Sequence, residues 1–147
     1  MMAIFRIWEV FTAAFSFLEV LFNKLGLSGV DAETGEFVCN MATWELREAV
    51  NTSSQMVDPE TDETVLASLE TVPSRMVKPP RVAASPVHLE CLFHSASVLP
   101  GYSPDNIVHL VIGQVIGVHV RDDALTADGR IDVARIRPLA RLGYFDY

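Results

Sequence analysis

The chain has 147 residues, 50% of them apolar and 20% charged, with 19 acidic against 11 basic side chains and a formal net charge of -8. This length allows one compact domain whose core removes roughly 70% of the unfolded chain's surface from water, and the composition excludes intrinsic disorder for most of the chain. The acidic balance, without a cluster of Lys and Arg able to release counterions from phosphates, argues against a nucleic-acid partner.

Residues 1–26 place Arg6, Glu9, Thr12, Ser16, Glu19 and Asn23 at steps of three or four, the spacing of one narrow polar stripe on an α-helix. The rest of that wheel is apolar, with Phe5, Trp8, Phe11, Phe15, Leu18 and Phe22 among its residues. Such a helix hides most of its circumference, against its own domain or against a partner. A membrane span would bury Glu9 and Glu19 at about 2.5 to 3.5 kcal/mol each, and a cleaved signal peptide fits neither these carboxylates nor the residues that follow. Contact with a membrane surface through residues 1–26 stays open as an alternative. Gly26 and Gly29 supply the helix stop.

From Val30 onward the texture is that of an α+β domain. Gly35 marks a turn and Glu36 to Met41 reads as a strand. Thr43 is a candidate N-cap for a short helix over Trp44 to Val50, and Val65, Leu66 and Leu69 predict a second short helix ending near Glu70. Arg75 to Arg81 carries two prolines, which lack a backbone donor, so it reads as an edge strand or an extended crossing.

In the run Val87 to Leu99, His88, Glu90 and Leu92 alternate with Val87, Leu89, Cys91 and Phe93, and the second set is expected to face the core. His88-x-Glu90-Cys91 invites a zinc-deaminase reading, but the Pro-Cys-x-x-Cys that would complete that metal site is missing. His88 and His94, six residues apart on a strand, are read as solvated side chains rather than metal ligands, and no metal is expected.

His109 to Val120 (HLVIGQVIGVHV) is the most informative run. Strict alternation puts His109, Val111, Gly113, Val115, Gly117 and His119 on one face, and Leu110, Ile112, Gln114, Ile116, Val118 and Val120 on a core face. The two glycines leave room for a flat ligand or another backbone; alternatively they mark bulges where a long strand coils into a barrel wall. On the first reading, replacing Gly113 by Val abolishes ligand binding with little loss of folding. Asp128-Gly129 predicts a turn, and Asp132 a cap on a turn of helix that Pro138 ends.

Cys39 and Cys91 form no Cys-x-x-Cys or zinc-like spacing and read as reduced core thiols in a cytoplasmic protein. Phosphate-loop, Gly-x-Ser-x-Gly, Gly-x-Gly-x-x-Gly and His-Glu-x-x-His motifs are missing from the sequence, and no repeat of 20 to 50 residues is found.

Four segments, ETGEFVCNMATWELREAVNTSS (33–54), PSRMVKPPRVAASPVHLEC (73–91), HLVIGQVIGVHV (109–120) and IRPLARLGYFDY (136–147), together resemble the flavin reductase-like family. The resemblance covers residues 31–147 and implies a split β-barrel of mainly antiparallel strands with short helices, preceded here by the apolar helix of residues 1–30. It also implies a homodimer that binds FMN near the subunit interface, reduces it with NADH or NADPH, and in some members supplies a partner monooxygenase. The cofactor-binding positions expected on this basis are His109, Gly113, Gly117, Arg141 and Tyr144, with no catalytic acid or base assigned.

The family's usual early strands, with their Pro-Arg-Pro-like, Ser-Phe-Phe-Asn-like and phosphate-holding Ser/Lys/Thr stretches, are not found in residues 1–30. The end at Tyr147 also precedes a strand that relatives commonly add, and Gln114 stands where relatives often have Glu. These departures favour an alternative of another class: a degenerate or truncated barrel that binds no flavin and acts as an interaction or membrane-surface module.

Overall fold

A computed structural model describes residues 35–53, 55, 61–100 and 107–140. The expected helix of residues 1–30, and Arg141 and Tyr144, lie outside these residues. Among the described residues no helix is long and apolar enough to cross a membrane.

Gly35, at φ 65°, makes the turn into β1 (Glu36–Asn40). A single 3-10 turn at Trp44–Leu46 runs into α1 (Arg47–Ser53), so the helix ends three residues beyond the expected end at Val50. Thr43 takes the extended N-cap conformation, but its side chain makes no capping bond. The second helix, α2 (Glu63–Leu66), is capped by Asp62, whose side chain accepts from the N–H groups of Thr64 and Val65.

Two short strands, β2 (Thr71–Val72) and β3 (Arg81–Val82), pair antiparallel, and the two longest, β4 (Val87–Pro100) and β5 (Ile107–Val120), form an antiparallel hairpin. With β1 beside β4, the main sheet has the order β1-β4-β5. Gly129, at φ 76°, serves the turn predicted at Asp128-Gly129, and α3 (Val133–Ile136) is capped by the Asp132 side chain, which accepts from Arg135 N–H.

The pairing of β4 with β5 breaks twice. Glu90 faces Gly117 but Cys91 faces Val115, which leaves Ile116 as an extra residue in β5; Phe93 faces Gly113 but Ser95 faces Ile112, which leaves His94 extra in β4. Directly paired residues share a face, so each bulge exchanges the two faces of its strand. The face that carries Phe37, Cys91 and Gly113 continues through Val115 to Val118 and Val120; the opposite face carries Glu90, His88, Gly117 and His119. Strict alternation is therefore corrected, since Gly113 and Gly117 lie on opposite faces of the sheet. The expected core face of β5 is corrected too. Leu110, Ile112 and Val118 are exposed, while Val111, expected opposite them, is buried.

On the first face Phe37, Cys91 and Val111 form one core cluster, and Met41, Val87, Ala124 and Ile136 a second. A third cluster, Ala42, Val50 and Leu139, holds α1 to the strand ends. Cys39 and Cys91 sit diagonally on neighbouring strands, and the Cys91 thiol donates to Leu89 O at 3.7 Å. Both are free, and the neighbouring Cys91 sulfur together with burial holds the Cys39 thiol far above the usual range.

The second face is covered by the segment Pro73–Val82. Its prolines remove ladder donors, so its remaining N–H groups need other acceptors. Four find them on the sheet: Lys78 N–H donates to Glu36 Oε2 at 2.8 Å, Val82 N–H to Asn40 Oδ1 at 2.8 Å, Arg75 N–H to Glu90 Oε1 at 2.9 Å and Met76 N–H to Glu90 Oε2 at 2.5 Å. The extended crossing expected from the prolines is thus laid down on side-chain acceptors that alternate along β1 and β4.

Candidate functional site

Glu90 is the centre of the second face. It is 0% exposed. Besides the two backbone donors, its Oε1 accepts from His119 Nε2 at 2.5 Å and lies 3.9 Å from Arg81 Nε. Burial alone would raise the pKa of this carboxyl, but the N–H groups of Arg75 and Met76 and the His119 imidazole outweigh it and hold the group below its ordinary value. Gly117 makes room for this arrangement. A Cβ there would stand 3.3 Å from the Met76 side chain and 3.4 Å from Glu90 Cβ.

His88 pairs directly with His119 across the ladder, the two rings meeting edge to face with centroids 6.3 Å apart. His88 is 6% exposed, which corrects its reading as a solvated side chain; His94, the other histidine so read, is exposed. The His88 Nε2 lies 2.9 Å from Val82 O. A carbonyl only accepts, so Nε2 carries the hydrogen and Nδ1 of the neutral ring is a bare acceptor. That Nδ1 is buried and has no partner among the described residues. Burial holds this imidazole below its usual range, against the opposing pull of the bond to Val82 O.

Beside the two histidines opens a cleft of about 480 Å³, bordered by the end of β5 (Val118 to Val120), by Val72, Ala83 and Ser85, and by Arg75, Arg81 and Arg121. Arg81 is anchored, its Nε and Nη2 donating to Pro73 O at 3.3 and 3.0 Å. Arg121 donates through Nε to Asp123 Oδ1 at 2.5 Å. The Arg75 guanidinium makes no hydrogen bond or ion pair among the described residues, although its backbone is fixed on Glu90. Arg81 lies beside Glu90 and Arg121 is paired with Asp123, so of the three cleft arginines Arg75 is the one with no carboxylate beside it among the described residues. Among the described residues no three His, Cys, Asp or Glu side chains are grouped to hold a metal ion.

The positions expected from sequence are dispersed. His109 lies in β5 opposite Val98. A Cβ on Gly113 would fall 2.2 Å from Phe37 Cζ, so the space that glycine opens is filled by an aromatic ring of the core. The room at Gly117 is taken by Glu90 and Met76. The cleft's own residues carried a weaker signal in the sequence. Arg75 and Arg81 of the cleft, with Lys78 between them, put three of only 11 basic residues in one proline-containing segment of an acidic chain.

Comparison with known proteins matches residues 29–145 to the family described as flavin reductase like domain. A protein of Halalkalibacterium halodurans is 34% identical over 151 residues, covering 92% of this chain and 72% of the relative, and one of Aquifex aeolicus is 30% identical over 111 residues, covering 76% and 54%. Among solved structures, nitrilotriacetate monooxygenase component B from Bacillus cereus superposes with a TM-score of 0.69 at 29% identity, covering 78% of this chain and 56% of that one. The chain thus spans little more than half the length of two of these three proteins, and the mainly antiparallel sheet with short helices fits the split-barrel fold.

Proposed function

The chain belongs to the flavin reductase-like family, and from that premise we propose that it is a flavin-binding oxidoreductase, taking FMN as cofactor and NADH or NADPH as electron donor. A bound flavin supplies the redox chemistry, acceptance of a hydride from a reduced nicotinamide; the protein supplies binding, orientation and exclusion of water. The observation that carries the reading is the family match over residues 29–145.

The described residues fit such a group in one place and not in another. Gly113 and Gly117 are closed by Phe37, Met76 and Glu90, so a ring stacked on either glycine does not fit. The cleft does fit the polar, anionic part of a flavin nucleotide, with Arg75 as the cation that has no carboxylate beside it among the described residues and Arg81 and Arg121 at its border. His109, Arg141 and Tyr144 are proposed to contribute to the remainder of the flavin site. Leu92, Leu110 and Ile112, exposed on the outer half of one face of the hairpin, are of the kind a second copy covers, which supports a homodimer. Passing electrons to a partner monooxygenase is part of the same proposal.

Titration of the purified chain with FMN, FAD and riboflavin, read by quenching of flavin fluorescence, tests the reading. Saturation by FMN near one flavin per chain is expected, followed by NADH or NADPH oxidation that depends on added flavin. A folded protein that binds none of the three overturns it in favour of the degenerate barrel.

A further inference from the structure

We propose that residues 1–26 are the cover of the exposed part of the first sheet face: an apolar helix docked over Phe93, Val115 and Val118 of its own chain. This docking is independent of a bound flavin.

The receiving surface is an extension of the core. Phe93, Val115 and Val118 are exposed on the face that also holds the buried cluster of Phe37, Cys91 and Val111. Val115 lies opposite Cys91, Val118 opposite Leu89, and Phe93 opposite Gly113, over which the Phe37 ring is packed. The apolar surface therefore runs without interruption from the cluster to the exposed side chains, and covering it removes that area from water.

The chain delivers its own cover to this place. Phe93 N–H donates to Gly35 O at 2.6 Å, and a Cβ on Gly35 would stand 3.6 Å from Phe93 Cβ. At φ 65° Gly35 turns off the line of β1, so everything N-terminal to it starts beside Phe93. Residues 27–34 are a tether that spans at most about 26 to 29 Å. Val118 lies five residues along β5 from Gly113, roughly 17 Å, so the whole patch is within reach. In residues 1–26, Trp8, Phe11, Phe15, Leu18 and Phe22 recur at steps of three and four, which on a helix makes one apolar stripe about 21 Å long, a match to the patch. Glu9, Thr12, Ser16, Glu19 and Asn23, each one position further on, keep to the flank of that stripe, where water reaches them.

Other occupants suit the patch less. Residues 56–60 and 101–106 are short, and residues 141–147 leave from beyond the far end of β1, where Leu139 N–H donates to Ala42 O. A second copy seated on Leu92, Leu110 and Ile112 approaches the opposite face.

Tryptophan fluorescence of the full chain tests the docking. The chain has two tryptophans, and Trp44 stands beyond the other end of β1 under the Arg47 guanidinium, so Trp44→Phe leaves Trp8 as the reporter without touching the patch. In that variant Trp8 is expected to emit as a buried indole and to be shielded from acrylamide, in dilute protein without lipid. Adding Val115→Lys and Val118→Lys is expected to shift the emission to the red and raise the quenching constant severalfold. Both valines are already 46% and 53% exposed to water among the described residues, so the lysines leave the sheet itself intact, which circular dichroism checks. Should the sheet be lost, Val115→Ser/Val118→Ser replaces the lysine pair with the same expectation. Trp8 quenched as readily as in the urea-unfolded chain, or shielded equally with and without the substitutions, overturns the proposal. Shielding that fades on dilution overturns it in favour of a second copy, and shielding that arises only with vesicles of anionic phospholipid overturns it in favour of a membrane surface.

Discussion

Glu90 is a charge kept in the interior by its neighbours. An isolated buried carboxylate is untenable, whereas one that accepts two backbone N–H groups and an imidazole replaces its lost hydration with fixed dipoles. Because these partners hold its pKa below the unfolded value, the folded chain resists protonation that the unfolded chain accepts. Stability from this group is fully present above about pH 4.5 and is lost as pH falls through the folded value. His88 adds in the same direction. Its imidazole stays neutral in the fold, so acid begins to favour the unfolded chain below about pH 6.5. Denaturant melts taken from pH 7 to pH 3 are expected to show stability falling in two stages, the upper one missing in His88→Gln and the lower one shallower in Glu90→Gln, since Glu45, Asp62, Asp123 and Asp128 are also held below their ordinary values. At pH 7, Glu90→Gln is expected to cost about 2 to 4 kcal/mol, since it turns an acceptor oxygen into a donor facing donors. Gly113 makes a separate point about packing. With a Cβ only 2.2 Å from Phe37, Gly113→Val is expected to cost about 3 kcal/mol in folding, whatever it does to a ligand, and a shift in the urea midpoint measures it. That replaces the expectation of a harmless substitution.

Among the elements, the β4–β5 hairpin changes face at Ile116. Because Ile116 is the extra residue, deleting it leaves Val115 opposite Cys91 and Gly117 opposite Glu90, and keeps His119 on the face of Glu90. The expected outcome is a folded chain whose stability, read from the denaturation midpoint, changes by no more than about 1 kcal/mol. The same bulge limits what can be read from the sequence. The β-runs, the two short helices after Gly35, the turn at Gly129 and the cap at Asp132 follow from local rules of propensity and capping and are legible residue by residue. The face of each residue in β5 is not. A bulge is decided by the partner strand, and HLVIGQVIGVHV carries no mark that distinguishes Ile116 from its neighbours. The cleft was hidden for a related reason. Its arginines come from the segment of Arg75 and Arg81 and from the end of β5, and only the burial of Glu90 beneath that segment brings them together. Polar residues in alternation on a strand look solvated until something is laid over them, as His88 and Glu90 illustrate.

On the scale of the whole molecule, the described residues leave an unusual amount of apolar surface exposed: Leu92, Leu110 and Ile112 on one face of the hairpin, and Phe93, Val115 and Val118 on the other. Patches of this kind on a folded domain are covered by association. Light scattering is expected to report a dimer, and Ile112→Lys to shift it toward monomer while leaving the melting temperature of a dilute sample within a few degrees; a wild type that runs only as large aggregates would instead signal unpaired sheet edges. The cysteine pair provides a means of watching such a sheet open. Cys91 is sealed between β1 and β5, so its thiol does not meet a bulky disulfide reagent while the strands are joined, whereas Cys39 is only half-buried. Colour from the slower of the two thiols would then develop only as fast as β1 peels from β4, and its rate would serve as a clock for the seam between the first strand and the hairpin, without any label being introduced.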